Sequence, residues 1–392
     1  MVITTQNNLF KNKSFQLSLL LIVFYLSEAF TKIAYYFHAG FHNYSALIKG
    51  GFILLSIYFA LVNLNKKRKS IFLFLIIMSI IFLIGQYTFS TNGLNSNFFK
   101  NLIYSSRYIF VYFLILFFID YPFKFKSKMH LMVYEKIVLI NSFFIIIGFI
   151  FNLKIFWTYN SRFGFNGLFI VPSITTYFYA LALTYFSYQY IKFNKNKLEL
   201  LIVIIATLLV GTKALLLFLL LTLIHLFFVK KIYRLKLFYL FTSISIFVIV
   251  SNINIIINFL KNKYETLFRV YENYDLITML TSYRNLRLKE NFIPVITENW
   301  SFLNYLFGGT DFVKYRVEFE LFDVFLFWGI IGSFLYFYFY FKKIISFKKI
   351  VKFGKIQIVF LLIIAMLSGT YFNNAPVTLY LLVVLSSLRT TI

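Results

Sequence analysis

Runs of about 20 largely apolar residues, the length a helix needs to cross ~30 Å of hydrocarbon, recur along this sequence from Phe15 almost to its last residue. A chain built this way has no room for a soluble domain. With 60% of its 392 residues hydrophobic and 22% aromatic, it carries more apolar surface than one aqueous core could bury. Inside hydrocarbon every backbone N–H and C=O must be satisfied within the chain, so the expected architecture is an all-α, polytopic membrane bundle. The first run, about 15–36, is too long for a signal-peptide core and no small-residue cleavage site follows it. It is read as a retained first span.

A formal charge of +26, from 39 basic and 13 acidic residues, raises the question of nucleic acid. A nucleic-acid reader gathers its basic residues on a folded solvent face, whereas these lie in short clusters between apolar runs. No nucleic-acid partner is expected, and the clusters are read as topology signals, because Lys and Arg near span ends are held on the cytoplasmic side. They fall at Lys11 and Lys13, at 66–69, at Lys124, Lys126 and Lys128, at Lys192, Lys195 and Lys197, at 230–236, at 342–355 and at Arg389. Consecutive clusters enclose enough apolar chain for an out-and-back hairpin. About twelve spans result, near 15–36, 44–64, 70–89, 101–119, 132–153, 167–190, 198–211, 213–229, 237–258, 320–341, 356–371 and 375–390, with both termini cytoplasmic. The seventh and eighth share a tip at Gly211-Thr212-Lys213, as a hairpin of short or tilted helices. A single long helix there is the competing reading. With no cysteine and four scattered histidines, neither thiol chemistry nor a His- or Cys-held metal is expected, and no cofactor is called for.

This topology divides the chain into 1–258 with nine spans, a large extracytoplasmic loop at 259–318, and 319–392 with three more spans. Nine of the 13 acidic residues lie in or just after that loop. A loop of such length in a compact protein is more often functional than a spacer. From Asp275 to Asn291 the apolar positions Leu276, Met279, Leu280, Tyr283 and Leu286 follow helical spacing, which predicts an amphipathic helix on the membrane surface with Arg284 and Arg287 on another face.

Ionisable groups at a membrane cost several kcal/mol unless paired or set in a wet cavity, so those on the loop side of the spans are the candidates. They are Arg107 early in the fourth span, Arg162 in "YNSRFGFNG", Lys213 in "LLVGTKALLL", Arg284 and Arg287 in "LTSYRNLRL", and Glu318, Glu320 and Asp323 in "VEFELFDVFLFWGIIG". Most have a plainer reading. Arg162 and Lys213 suit interfacial anchors, Arg284 and Arg287 the solvated face of a surface helix, and Gly329 and Gly332 close helix approach. Carboxylates at a helix N-terminus complement its dipole. Yet Glu320 and Asp323, one turn apart, adjoin a loop rich in arginine. Arginines there suit a diphosphate, and a nearby carboxylate can serve as general base for a hydroxyl. The combination fits transfer of a glycan from a lipid diphosphate carrier.

Four stretches, "NSRFGFNGLFIVPS" at 160–173, "LLVGTKALLLFLLL" at 208–221, "LTSYRNLRL" at 280–288 and "FGGTD…VEFELFDVFLFWGIIG" at 307–332, resemble in order and topology the O-antigen polymerase and ligase superfamily of bacterial envelopes, above all its Wzy-type members. The resemblance implies a GT-C-like, metal-independent glycosyltransferase of the bacterial cytoplasmic (inner) membrane that polymerises O-antigen or capsular repeat units. Its substrate would be a polyprenyl (undecaprenyl) diphosphate-linked glycan, and its associates membrane lipid, a chain-length regulator and a flippase. Carried over by position, Arg162 and Arg284 would hold the diphosphate with help from Lys213, and Glu320 with Asp323 would position or deprotonate the acceptor hydroxyl. Arg287 and Glu318 complete the expected binding set. The sequence departs from the pattern at Tyr283, where Gly is expected, and at Gly369-Thr370-Tyr371, where related ligases show a Gly-His pair. A flippase for the same lipid-linked units and an O-antigen ligase are the alternatives.

Overall fold

A computed structural model of the chain describes residues 13–91, 97–118, 128–159, 162–231, 234, 251 and 265–389. Among them there is no strand, only isolated bridges at Trp157–Phe165 and Ile350–Arg389. The main helices are α1 (Lys13–Tyr36), α2 (Tyr44–Val62), α3 (Lys66–Thr91), α4 (Phe98–Phe118), α5 (Met129–Ile150), α6 (Pro172–Phe193), α7 (Lys197–Val210) and α8 (Lys213–Val229). Short helices α9 (Glu265–Asn273), α10 (Leu276–Thr281), α11 (Arg284–Arg287), α12 (Phe302–Phe307) and α13 (Phe312–Tyr315) follow, then α14 (Glu320–Phe339), α15 (Lys352–Ser368) and α16 (Ala375–Leu388).

Helices α1 to α5 and the run that begins with α14 are long and apolar enough to cross a membrane, and α8 and α16 are shorter apolar helices. The protein is therefore read as a helical membrane protein. Every span expected from the sequence coincides with a helix except the ninth, 237–258, which lies outside the described residues apart from Ser251. Helix α16 sits at the centre, with Ala375 to Leu385 buried throughout. Around it, α4, α5 and α6 bury aromatic side chains such as Tyr108, Tyr112, Tyr134 and Tyr177. Helix α2 lies at the periphery and exposes Leu54, Leu55 and Tyr58.

The segment 198–229 is two helices, not one. Val210 ends α7, Gly211 takes a left-handed φ of 70°, and Lys213 starts α8. Both helices pack on α6 and on each other.

Helix α14 departs from the straight span expected at 320–341. At Gly329 the backbone leaves helical geometry (φ 61°, ψ −163°), which divides the element into a short half, Glu320 to Trp328, and a second half from Ile330. The cause lies outside the helix. The backbone of 306–308 crosses so closely that a Cβ on Gly329 would stand 2.5 Å from Gly308 N, and one on Gly308 2.5 Å from Trp328 N. The bend frees the Leu326 carbonyl from its helical partner, and Gly309 N–H donates to it instead at 2.9 Å. Close approach, expected of Gly329 as a small packing residue, is thus combined with a break in the helix.

Candidate functional site

The charged segment between α9 and α14 is held against one end of the bundle by buried polar bonds. Asn101 of α4 donates to Thr310 O at 2.9 Å and accepts from Phe312 N–H at 3.0 Å, while Gln86 of α3 donates to Thr310 O at 3.1 Å. Asn304, fully buried, donates to Thr88 Oγ1 and Gly308 O, each at 2.8 Å. A small apolar cluster of Phe89, Val295, Trp300, Val317 and Leu326 packs beneath. The sequence "FGGTD" is therefore a strap whose backbone groups are satisfied by α3 and α4, as buried backbone must be.

The amphipathic helix expected over 275–291 is broken. Asp275 caps α10 by accepting from Thr278 N–H at 2.5 Å, but Ser282 and Tyr283 adopt left-handed φ of 55° and 67° and end it after one and a half turns. The Lys213 ammonium, at the first residue of α8, donates to Met279 O and to Ser282 Oγ, the latter at 3.1 Å. A cation at freed carbonyls stabilises such a terminus. The reversal aims α11 back at the start of α14, so Arg284 and Arg287, rather than facing solvent as a pair, meet Glu318.

Glu318 is the focus of that meeting. Its carboxylate lies 2.7 Å from Arg287 Nη1 and 3.5 Å from Arg284 Nη2. Burial raises its pKa, but the Arg316 guanidinium, and then Arg287 and Arg284, more than offset this and hold the carboxyl below the usual glutamate range. Its backbone is left-handed at φ 67°, a region that costs a residue with a Cβ roughly 1–2 kcal/mol. Two neighbours fix it there. Asp323 accepts from the N–H groups of Val317 and Glu318 at 2.8 and 3.0 Å, and Gly369 packs so tightly that a Cβ would lie 2.2 Å from Glu318 O.

Behind Glu318 the other two acidic residues are fully buried in the first turn of α14. Both Asp323 oxygens are occupied by backbone N–H groups, with Arg316 Nε 3.9 Å away. Glu320 accepts from Phe372 N–H through Oε1 at 3.2 Å, while its Oε2 has no hydrogen-bond partner. Arg316 Nε and Nη2 and Tyr108 OH are likewise buried without one, and the charges of Glu320 and Asp323 act on both side chains. The 369–372 loop is held by Tyr177 of α6, whose hydroxyl donates to Gly369 O at 2.7 Å.

The structure brings Arg284, Arg287, Glu318, Glu320 and Asp323 together. Lys213 stands beside them, within reach of the charges of Arg162 and Arg284. Arg162 is exposed and stacks over Tyr159 at 3.5 Å. Arg316 and Tyr177 were not singled out from sequence as parts of this site, and Gly369-Thr370-Tyr371 stood out only as a departure from the ligase pattern; their approach depends on tertiary contacts. A second polar centre was also missed. In α1, Glu28 accepts from Lys49 at 2.7 Å and from Ser45, and Lys32 donates to Asn166 Oδ1 and to Gly167 O, the latter at 2.6 Å. Its signal was available as two charges inside an apolar run. Among the described residues no group of three or more His, Cys, Asp or Glu is placed to hold a metal ion. Compared with family models, curated proteins and solved structures, the chain matches none.

Proposed function

We propose that the chain is a glycosyltransferase of the bacterial cytoplasmic membrane that joins polyprenyl diphosphate-linked repeat units into O-antigen or capsular polysaccharide. In this reading it has about twelve spans in a GT-C-like arrangement, both termini are cytoplasmic, and 259–318 faces outward, where it meets the flippase's product and a chain-length regulator. One observation carries the reading: a fully buried glutamate, Glu320, keeps one carboxylate oxygen unpartnered within the field of Arg316 and two residues from Glu318, which pairs with Arg284 and Arg287. Such a pairing suits a reaction in which an anionic leaving group departs while a hydroxyl loses its proton.

Arg284 and Arg287 grip the diphosphate in bidentate fashion, and Lys213 and Arg162 add positive charge at its edge. The acceptor hydroxyl oxygen attacks the anomeric carbon of the donor sugar, the bond from that carbon to the diphosphate oxygen breaks, and the hydroxyl proton passes to Glu320 Oε2. Asp323 acts as a positioning residue by fixing the Val317-Glu318 backbone. The test is the gel profile of surface glycan from cells lacking the chain, complemented with wild type or with Glu320→Gln at matched expression. Single-unit glycan in the deletion and in Glu320→Gln, with ladders restored by wild type, is the expected result. Normal ladders in Glu320→Gln would remove Glu320 from the reaction. A flippase is the second reading, supported by the buried charges Glu28 and Lys32 within α1, since transporters place ionisable groups inside the bundle. It predicts that the deletion exports no glycan at all.

A further inference from the structure

The Arg284–Arg287 pair is already occupied by a part of the protein itself. Glu318 spans both guanidiniums, yet one carboxylate leaves much of their capacity unused: two guanidiniums present about ten N–H donors and a carboxylate about four acceptor positions. Arg284 Nε is buried without a hydrogen-bond partner. The charge balance leans the same way, since Arg316 and Lys213 act on the same group of side chains while Asp323 is committed to backbone. The Glu318 backbone is clamped in a left-handed conformation by Asp323 and Gly369, where glycine would fit without strain. Strained conformations of this kind persist only where the surroundings over-determine them, and they cluster at functional sites. The carboxylate end, by contrast, is partly open: the Glu318 side chain is 28% and that of Arg287 42% exposed. A fixed root, a partly open tip and two arginines with donors to spare, even with Arg284 Nη1 reaching Thr281 O at 3.3 Å, describe a tethered competitor.

We infer that the Glu318 side chain is an internal stand-in for a diphosphate. It holds Arg284 and Arg287 in their binding arrangement while the site is empty and swings out when an anion of higher charge displaces it. The ligand class rests on the glycosyltransferase reading above, whereas the displacement itself does not. Being attached to the site, the carboxylate competes at a high effective concentration. A singly charged phosphate ester therefore binds poorly, and a diphosphate, with two groups to share between the guanidiniums, displaces it. No covalent bond changes; one anion leaves the arginines as another enters.

The experiment uses the full chain purified in detergent and measures calorimetric affinity for inorganic pyrophosphate and for farnesyl diphosphate, a short lipid diphosphate. Glu318→Gln is expected to bind both about tenfold more tightly than wild type. Glu318→Asp, which keeps the charge but shortens the reach, should fall between, and it serves as the probe if Glu318→Gln does not melt cooperatively. Unchanged or weaker binding in the variants, or no binding by any of the three proteins, overturns the stand-in. Tightening for pyrophosphate alone overturns the lipid source and assigns a free anion. Tighter binding in a protein whose deletion leaves the cell's surface glycan unchanged keeps the stand-in and discards the polymerase reading.

Discussion

Replacing Gly329 with alanine tests whether the bend of α14 is built into its backbone. At φ 61° and ψ −163° the residue occupies a region essentially reserved for glycine, and forcing a side chain there costs about 1–3 kcal/mol. The new Cβ would also lie 2.5 Å from Gly308 N and from Leu306 C. These are backbone atoms that cannot rotate away, so overpacking adds about 1–3 kcal/mol, for a total of about 2–6 kcal/mol. With an unfolding entropy near 2.1 cal/mol/K per residue, each kcal/mol lowers the midpoint of a chain this long by about 1–2 °C. The expected fall is roughly 2–12 °C, read by tryptophan fluorescence during thermal unfolding in detergent. Gly50→Ala is the control: it sits in α2 with nothing within 4 Å of an added Cβ, and alanine in place of glycine in a helix contributes up to ~1 kcal/mol of stability. If Gly329→Ala melts with wild type while Gly50→Ala behaves as expected, α14 is a straight helix and the account of its bend is refuted.

Because Glu318 has a lowered pKa in the folded chain, its ion pairs stabilise fully above the usual glutamate range and are lost as pH falls through the lower folded value. The difference in melting temperature between wild type and Glu318→Gln should close on acidification, and a gap that persists into acid would contradict the assignment. In Asp323→Asn only one oxygen remains to accept, so one of the two N–H groups faces an amide nitrogen, at a cost of about 1–3 kcal/mol. Hydrogen exchange at the Val317 and Glu318 amides should accelerate, and unchanged rates would show that Asp323 does not hold that backbone. Lys213→Met strips the donor from Met279 O and Ser282 Oγ, a loss of about 1–3 kcal/mol. Exchange should rise across 276–287 but not along α8, and uniform protection would mean the reversal at Ser282 and Tyr283 stands without the lysine.

The helices were legible because their signal is local: an apolar run of span length, closed by a basic cluster or by a breaker such as Gly211, reads the same in sequence and in structure. The site was legible in part. Charge at a membrane boundary is costly enough to mark Arg284, Arg287, Glu318, Glu320 and Asp323 one by one, but nothing in the pattern says that Arg287 pairs with Glu318 or that Asp323 is committed to two amides. Those facts depend on the break at Ser282 and Tyr283, whose lysine support comes from a residue 66 positions earlier. Helical periodicity through Leu286 masks that break. Gly329 misleads for a related reason, since a glycine that permits close packing and one that bends a helix look alike until the crossing chain at 306–308 is in place. Asn101 and Asn304 gave no sequence signal because their value lies in backbone partners far along the chain.

The bond from Phe372 N–H to Glu320 has a consequence in time. The donor lies 52 residues after the carboxylate, and at synthesis rates of about 5–20 residues per second that separation is roughly 3–10 s. During that interval α14 is already made while the loop that receives Glu320 is not. The carboxylate must wait at the aqueous edge of the membrane, because entering hydrocarbon without a partner would be too costly. The first half of α14 can therefore settle only after α15 and the 369–372 loop that follows it have been made. The end of the bundle that holds Glu320 is completed late, and a ribosome that stalls before residue 372 leaves this carboxylate without its backbone donor.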